Sequence, residues 1–227
     1  MKVILSGGGT GGHIYPALTI ADNIKLLHPE AEIIFVGTKA GLEKDIIPRY
    51  GYPLKFIEVA GFRRSLSLDT LRSAGKLFEG LYDAYKIISQ EKPDLVIGTG
   101  GYVCGPVVFT AALQGIPTCI QEQNAMPGVT NKILSRFVKK VFLGYEEAGK
   151  DFNNGAELVF TGNPIRTEIL EHGLSEAYKE LGLDSKKKTI LVSGGSRGAR
   201  SINTAMLGVE LALSDRGDVQ ILHATGD

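Results

Sequence analysis

The chain has 227 residues, 43% hydrophobic and 22% charged, a globular composition that excludes a disordered or low-complexity polymer. At roughly 150 residues per domain it allows one large domain or one and a half ordinary ones. Lys plus Arg is 25 and Asp plus Glu is 25, a formal net charge of zero, so no global field favours nucleic acid or an anionic surface, and any basic site has to be local.

Short apolar runs rich in Val and Ile alternate with segments of helical spacing. In chain order they predict a strand at Lys2–Ser6, a helix at His13–Leu27, a strand at Glu32–Val36, a helix at Leu42–Tyr50 and a strand at Leu54–Val59. A helix at Asp69–Gln90 follows, then a strand at Leu95–Gly98, a helix at Gly105–Gln114, a strand at Thr118–Gln121 and a helix at Gly128–Arg136. Strands at Lys140–Leu143, Glu157–Phe160, Thr189–Ser193 and Val219–His223 complete the series. Continuously apolar strands separated by helices imply an α/β fold with a parallel sheet covered on both faces. The uncharged stretch Leu95–Gln121 is long enough to span a bilayer, but its glycines, Pro106, Gln114 and Pro117 read as strand, turn, helix and strand, so no transmembrane helix is expected. Cys104 and Cys119, without CxxC spacing or a secretory leader, speak against a disulfide framework and for a reducing, cytoplasmic compartment.

Glycine is in excess, 29 residues against a usual share of ~7%, and it is clustered. The pattern of apolar strand, glycine cluster and helix recurs as VILSGGGTGGH, LVIGTGGYVCG and ILVSGGSRGAR. The expected organisation is a first doubly wound domain over 1–162, a joining segment over 163–188 and a second domain that starts at 189 and runs to 227. A lone βαβ unit cannot bury both faces of its sheet, so the chain reads as a C-terminally shortened piece of a longer protein.

Gly7–Gly12 satisfies GxGxxG between a strand and a helix, the context a phosphate site requires, although a tight turn with close helix packing needs the same glycines. The second strand ends without the acidic residue that would hold a dinucleotide ribose, and Gly12 is followed by His13 and not by the lysine of a P-loop. At a helix start His13 is kept neutral and suits a general base, or else it only fixes the loop. GTGGYVCGP supplies a second cluster at the same sheet edge, suited to a pyrophosphate or a phosphorylated lipid. Gln121–Asn124 places amides and one carboxylate, Glu122, where a sugar could be read. Arg166 in GNPIR and Ser196 in GGSRGAR could stabilise a departing diphosphate. No Asp-x-Asp pair is present, so neither a metal nor a cofactor is expected.

Together and in this order, GGGTGGHIYPA, GTGGYVCGP, EQNAMPGVTNK, GNPIR and GGSRGAR closely resemble the MurG family of peptidoglycan glycosyltransferases. The resemblance implies a GT-B fold, with a complete N-terminal Rossmann-like domain for the acceptor and the beginning of a second for the donor. It implies an inverting transfer of N-acetylglucosamine from UDP-N-acetylglucosamine to the muramyl 4-hydroxyl of lipid I, giving lipid II, at the cytoplasmic face of the bacterial cell membrane. Carried over by residue, Thr10, Gly11 and Gly12 approach the donor sugar and the acceptor pyrophosphate, Asn124 contacts the donor N-acetylglucosamine, and Arg166 and Ser196 hold the UDP phosphates. His13 matches the residue suspected as base, with Glu122 its rival; Gly9, Gly100, Gly101 and Tyr102 fall to the acceptor side. The chain stops before the family's uracil and ribose site, so alone it is expected to be inactive. Other GT-B enzymes, a glycolipid synthase or a UDP-sugar epimerase, are the alternative, as is a non-catalytic lipid-pyrophosphate module. Phe62–Tyr85, with Leu66, Leu68, Leu71, Leu77, Phe78 and Leu81 among Arg63, Arg64, Arg72 and Lys76, suits a helix on the inner membrane surface, and equally a core helix with a solvated basic face.

Overall fold

The computed structural model describes residues 1–59, 68–152, 155–167, 169, 173–195 and 198–226, with backbone alone at 68–74. It divides into two compact units, Met1–Arg166 and Thr167–Asp227.

In the first unit seven parallel strands, β1 (Lys2–Gly7), β2 (Glu32–Gly37), β3 (Leu54–Phe56), β4 (Leu95–Gly100), β5 (Thr118–Glu122), β6 (Lys140–Leu143) and β7 (Glu157–Phe160), form one sheet. The order is β3-β2-β1-β4-β5-β6-β7, so the chain reverses direction across the sheet between β1 and β4. Among the described residues, five α-helices and one 3-10 helix (Glu146–Asp151) lie between the strands, the α-helices being α1 (Gly11–Leu27), α2 (Glu43–Arg49), α3 (Leu68–Glu91), α4 (Cys104–Leu113) and α5 (Val129–Leu134). Because strand side chains alternate, each strand feeds two cores. Val3, Leu5, Ile33, Phe35 and Ile97 bury against Ile14, Ala17 and Leu18 of α1 and Ile47 of α2. Ile4, Ile34, Val96, Ile120 and Val141 bury on the other face with Ala84 and Ile88 of α3, Val107, Val108 and Ala111 of α4 and Leu134 of α5.

The expected strands and helices are all found, β6 and β7 with the expected ends and the others with ends that differ by at most three residues. β3 is the exception in length, since it stops at Phe56 where a strand to Val59 was expected. Ile57 N–H still donates to Gly37 O, but Glu58 N–H turns away to Asp83 Oδ2 on α3. A carboxylate from a helix takes over the role of the next ladder partner.

The second unit has two parallel strands, β8 (Lys188–Ser193) and β9 (Val219–Ala224), paired from Lys188↔Val219 to Ser193↔Ala224, with helices α6 (Leu174–Glu180) and α7 (Arg200–Leu213). Ile190, Leu191, Leu207 and Leu211 are exposed there and Met206 is buried.

Both cysteines are free and buried. Burial disfavours thiolate and pushes Cys104 and Cys119 up to about 12. The thiolate is the reactive form, so a thiol reagent at mildly alkaline pH is expected to label neither residue until the first unit unfolds. Rapid labelling of the native chain would contradict this packing.

Candidate functional site

Ligands of open α/β sheets bind at the carboxyl edge where strand order reverses, because the loops of the two flanking strands diverge there. In this chain those loops follow β1 and β4, and both are glycine clusters. They pack on each other: Gly8 N–H donates to Gly100 O at 3.4 Å, and a Cβ at Gly101 would collide with Gly8 O. With φ of +83 at Gly101 and +102 at Gly100, both positions need glycine for conformation and for space.

The GxGxxG loop divides its N–H groups between two directions. Gly9 N–H turns inward to Glu43 Oε2 at 2.9 Å, so it is not presented to an anion. Any contact of Gly9 with the expected acceptor would therefore be made by atoms other than this N–H. The N–H groups of Thr10, Gly11 and Gly12 have no hydrogen-bond partner among the described residues, and no side chain caps α1. Three free donors at the positive end of a 17-residue helix make an anion cradle. α4 likewise starts without a side-chain cap on the other side of the reversal.

His13 is half-buried at the edge of this cradle. Its Nδ1 lies 3.2 Å from Gly8 O and 3.3 Å from Thr10 Oγ1. A carbonyl only accepts, so this contact favours a proton on Nδ1, and in the neutral ring the lone pair then falls on Nε2. The ring lies against Gly100, where a Cβ would come 3.0 Å from Nε2 and 2.8 Å from Cδ2. Thr99 Oγ1 donates to the His13 carbonyl at 2.7 Å and fixes the first turn of α1 to β4.

Glu43, at the start of α2, is 1% exposed. Besides Gly9 N–H it accepts from Thr38 N at 2.9 Å and Thr38 Oγ1 at 2.8 Å. Tyr102 OH lies 3.2 Å from Thr38 Oγ1, so the loops after β1, β2 and β4 share one polar web. Tyr102 is therefore tied to the scaffold of the site.

Glu122 ends β5 and is also 1% exposed. Oε1 accepts from Asn124 N and Asn124 Nδ2, both at 2.9 Å, and Oε2 accepts from Gly128 N at 3.0 Å and Asn131 Nδ2 at 2.9 Å. Four donors fill the carboxylate, which shapes the β5–α5 loop and has no lone pair turned to an open site. As the expected rival to His13 for proton abstraction, it would have to exchange one of these four donors for the substrate hydroxyl. Asn124 is exposed, its amide nitrogen held by Glu122 and its Oδ1 without a partner among the described residues. Asn131 Oδ1 is buried and unpaired among the described residues. No three His, Cys, Asp or Glu side chains converge as a metal site among the described residues.

The glycosyltransferase family 28 N-terminal domain matches residues 3–143, which span β1 to β6 and every loop described above. The chain belongs to this glycosyltransferase family. Relatives from Acetivibrio thermocellus (52% identity) and Clostridioides difficile (51%) align with all of it. Both are named UDP-N-acetylglucosamine–N-acetylmuramyl-(pentapeptide) pyrophosphoryl-undecaprenol N-acetylglucosamine transferase. The chain spans 62% and 56% of their lengths. Among solved structures, Acinetobacter baumannii MurG superposes with a TM-score of 0.70 at 27% identity, covering all of this chain and 68% of that one. The Neisseria meningitidis UDP-GlcNAc 2-epimerase bound to UDP-GlcNAc superposes at 0.67 with 11% identity, covering all of this chain and 73% of that one, a likeness of fold alone.

Within this family 28 chain, Arg166 is held on the first unit. Nη1 donates to Tyr50 OH at 3.1 Å, and the guanidinium stacks 4.7 Å over the Tyr15 ring. Asn163 of the same GNPIR motif accepts from Gln121 Nε2 at 3.2 Å and donates to Gln123 O at 3.1 Å. The motif is thus bound to the loop after β5. Ser196 lies outside the described residues, as do Phe62–Leu66 of the expected membrane helix. Over the part whose side chains are described, α3 exposes Phe78, Tyr82 and Tyr85, with Lys86 Nζ 4.4 Å above the Tyr82 ring.

Proposed function

We propose that this chain is the acceptor-binding part, with the beginning of the donor-binding part, of an inverting transferase. It moves N-acetylglucosamine from UDP-N-acetylglucosamine to the 4-hydroxyl of the muramyl sugar of lipid I. The observation that carries the reading is the pairing of three free N–H groups at Thr10–Gly12 with the His13 ring beside them, its Nδ1 engaged by Gly8 O and Thr10 Oγ1, in a chain about half identical to relatives named for that reaction. The cradle holds the lipid pyrophosphate without metal, and His13 takes the proton of the attacking hydroxyl as UDP departs from the opposite face of the donor sugar. Residues 1–162 carry the acceptor, 163–188 join the domains, and 189–227 begin the donor domain. Asn124 reads the donor sugar through its free carbonyl oxygen. Arg166 and Ser196 are each assigned to the departing diphosphate, as the resemblance implies, while Gly100, Gly101 and Tyr102 shape the acceptor side. The test is product analysis with a chain of the relatives' full length, a soluble lipid I analogue and UDP-N-acetylglucosamine: a β-linked disaccharide is expected. Hydrolysed or epimerised donor with no disaccharide would overturn the reading.

The enzyme works peripherally at the cytoplasmic face of the cell membrane, where lipid I is reached. No described helix is long and apolar enough to cross a membrane. The exposed Phe78, Tyr82 and Tyr85, spaced at i, i+4 and i+7 on α3, offer amphipathic rings to the lipid interface beside Lys76 and Lys86. The double change Phe78→Ser, Tyr82→Ser is expected to weaken binding to anionic vesicles about tenfold or more, at ~0.8 kcal/mol per withdrawn CH₂ equivalent. Unchanged sedimentation with vesicles would remove α3 from the contact.

In the same full-length chain, Arg166→Ala is expected to slow transfer roughly 100-fold, the usual loss of one preorganised charge contact, while binding of the lipid I analogue holds. A collapse of acceptor affinity would instead assign Arg166 to the acceptor, together with Tyr15 and Tyr50.

A further inference from the structure

We propose that Glu43 is a positioning residue for His13, acting through the peptide group between Gly8 and Gly9. The inference rests on the reading of His13 as the base and adds how its reactive tautomer is set. One peptide unit carries both contacts. Its N–H, on Gly9, donates to Glu43 Oε2 at 2.9 Å, and its C=O, on Gly8, lies 3.2 Å from His13 Nδ1. A carboxylate bonded to an amide N–H polarises the group and makes its oxygen a better acceptor, since hydrogen bonds in a chain strengthen one another. Glu43 thereby favours the proton on Nδ1 and leaves the lone pair on Nε2, the nitrogen beside Gly100. With the proton on Nε2, two lone pairs would oppose each other across the short gap between Nδ1 and Gly8 O.

Two further observations fit this relay. The carboxylate is boxed in by glycine backbone: a Cβ at Gly8 would come 2.6 Å from Glu43 Oε1 and 2.9 Å from Oε2, and one at Gly41 would overlap the carboxylate. It therefore cannot swing away from Gly9. Its hydrogen-bond partners among the described residues are the N–H groups of Gly9 and Thr38 and the Thr38 hydroxyl, all neutral. Among the described residues, no cation bonded to Glu43 offsets its pull on the Gly8–Gly9 peptide. The arrangement does for His13 what a directly bonded carboxylate does for histidines elsewhere, with a peptide in between. Thr10 Oγ1, 3.3 Å from the same Nδ1, serves as a second acceptor and keeps its own proton free to donate outward.

The test is the ring nitrogen spectrum of the 227-residue chain carrying ¹⁵N-labelled histidine, recorded at a pH where the imidazoles are neutral. The chain has four histidines, His13, His28, His172 and His223, and loss of one signal set in His13→Asn assigns His13. In the unaltered chain His13 should hold its proton on Nδ1 in the great majority of molecules. In Glu43→Gln, whose amide group cannot accept at both oxygen positions, the population should move toward the Nε2–H form while the other three histidines keep their signals. If Glu43→Gln does not fold, Thr38→Val, which removes one donor that orients the carboxylate, should move the same equilibrium in the same direction by a smaller amount. A His13 tautomer unchanged in every variant that folds, or an Nε2–H form in the unaltered chain, overturns the proposal. Because no turnover is measured, the two readings separate. A tautomer that shifts in Glu43→Gln, with His13→Ala still active at full length, keeps the relay and rejects the base; the converse keeps the base and rejects the relay.

Discussion

Replacing His13 with Ala in a chain of the relatives' full length is expected to lower turnover at saturating substrates by roughly 100-fold to 10,000-fold, the range for losing a positioned acid–base group. The attacking sugar hydroxyl is a poor nucleophile until its proton is taken, and the acceptor must lie within hydrogen-bond reach of it. Around the cradle, His13 has its Nδ1 engaged by Gly8 O and Thr10 Oγ1, which leaves Nε2 as the nitrogen to take a proton in the proposed reaction. Glu122, at the head of the β5–α5 loop, is filled by four donors. The acidic limb of the pH–turnover profile, which reports protonation of the base, should vanish with His13. Retention of that limb in His13→Ala and its loss in Glu122→Gln would mean that the β5–α5 loop opens in the working enzyme and that Glu122 is the base. The Michaelis constant for the donor should change little if His13 serves the acceptor, as proposed.

The second large effect is on stability. Glu122→Ala removes a buried carboxylate and the four bonds that close the β5–α5 loop on it; Asn131 Nδ2, the buried donor of the four, keeps only its 3.3 Å bond to Gln121 O. Hydrogen bonds to a charged acceptor are the stronger kind, so a loss of about 2–4 kcal/mol in the first unit is expected. That is a large share of the ~5–15 kcal/mol that holds a typical domain together. Urea titration followed by circular dichroism reads it directly. Glu122→Gln keeps the shape but turns one amide group toward N–H donors, and should lose a smaller amount. A loss under about 1 kcal/mol for Glu122→Ala, the size of an ordinary surface change, would show that the loop does not depend on this carboxylate.

The sheet was readable because its strands are continuous apolar runs, and strands buried on both faces carry no competing helical period. The glycine clusters could be placed at one edge because each directly follows a strand. What the sequence concealed is the direction of polar groups. Glu43 stands in the run Glu-Lys-Asp at the head of a short helix, which reads as a solvated face. Only the folding of Gly8, Gly37 and Gly41 around it makes a pocket for the carboxylate. For Gly9, which side of the loop its N–H faces is decided by left-handed backbone, a freedom glycine does not announce. Glu122 was legible in principle: strand alternation puts it on the face of Ile120, toward α4 and α5, and a buried acid there has to be bonded. A polar run at a strand end hid that alternation.

Calorimetric titration of the 227-residue chain with a soluble muramyl-pyrophosphoryl analogue of lipid I, set against its Gly12→Asp variant, bears most directly on the claim that the Thr10–Gly12 cradle holds the acceptor. Gly12 is exposed, and a Cβ there would meet nothing nearer than Thr10 Oγ1 at 3.7 Å, so the change leaves the packing intact. An acidic residue in the first turn also suits the helix dipole. The variant should therefore fold as well as the original while repelling a pyrophosphate. Binding in the unaltered chain, undisturbed by UDP-N-acetylglucosamine and lost in Gly12→Asp, is the predicted result; equal binding by both chains, or displacement by the donor, would contradict it.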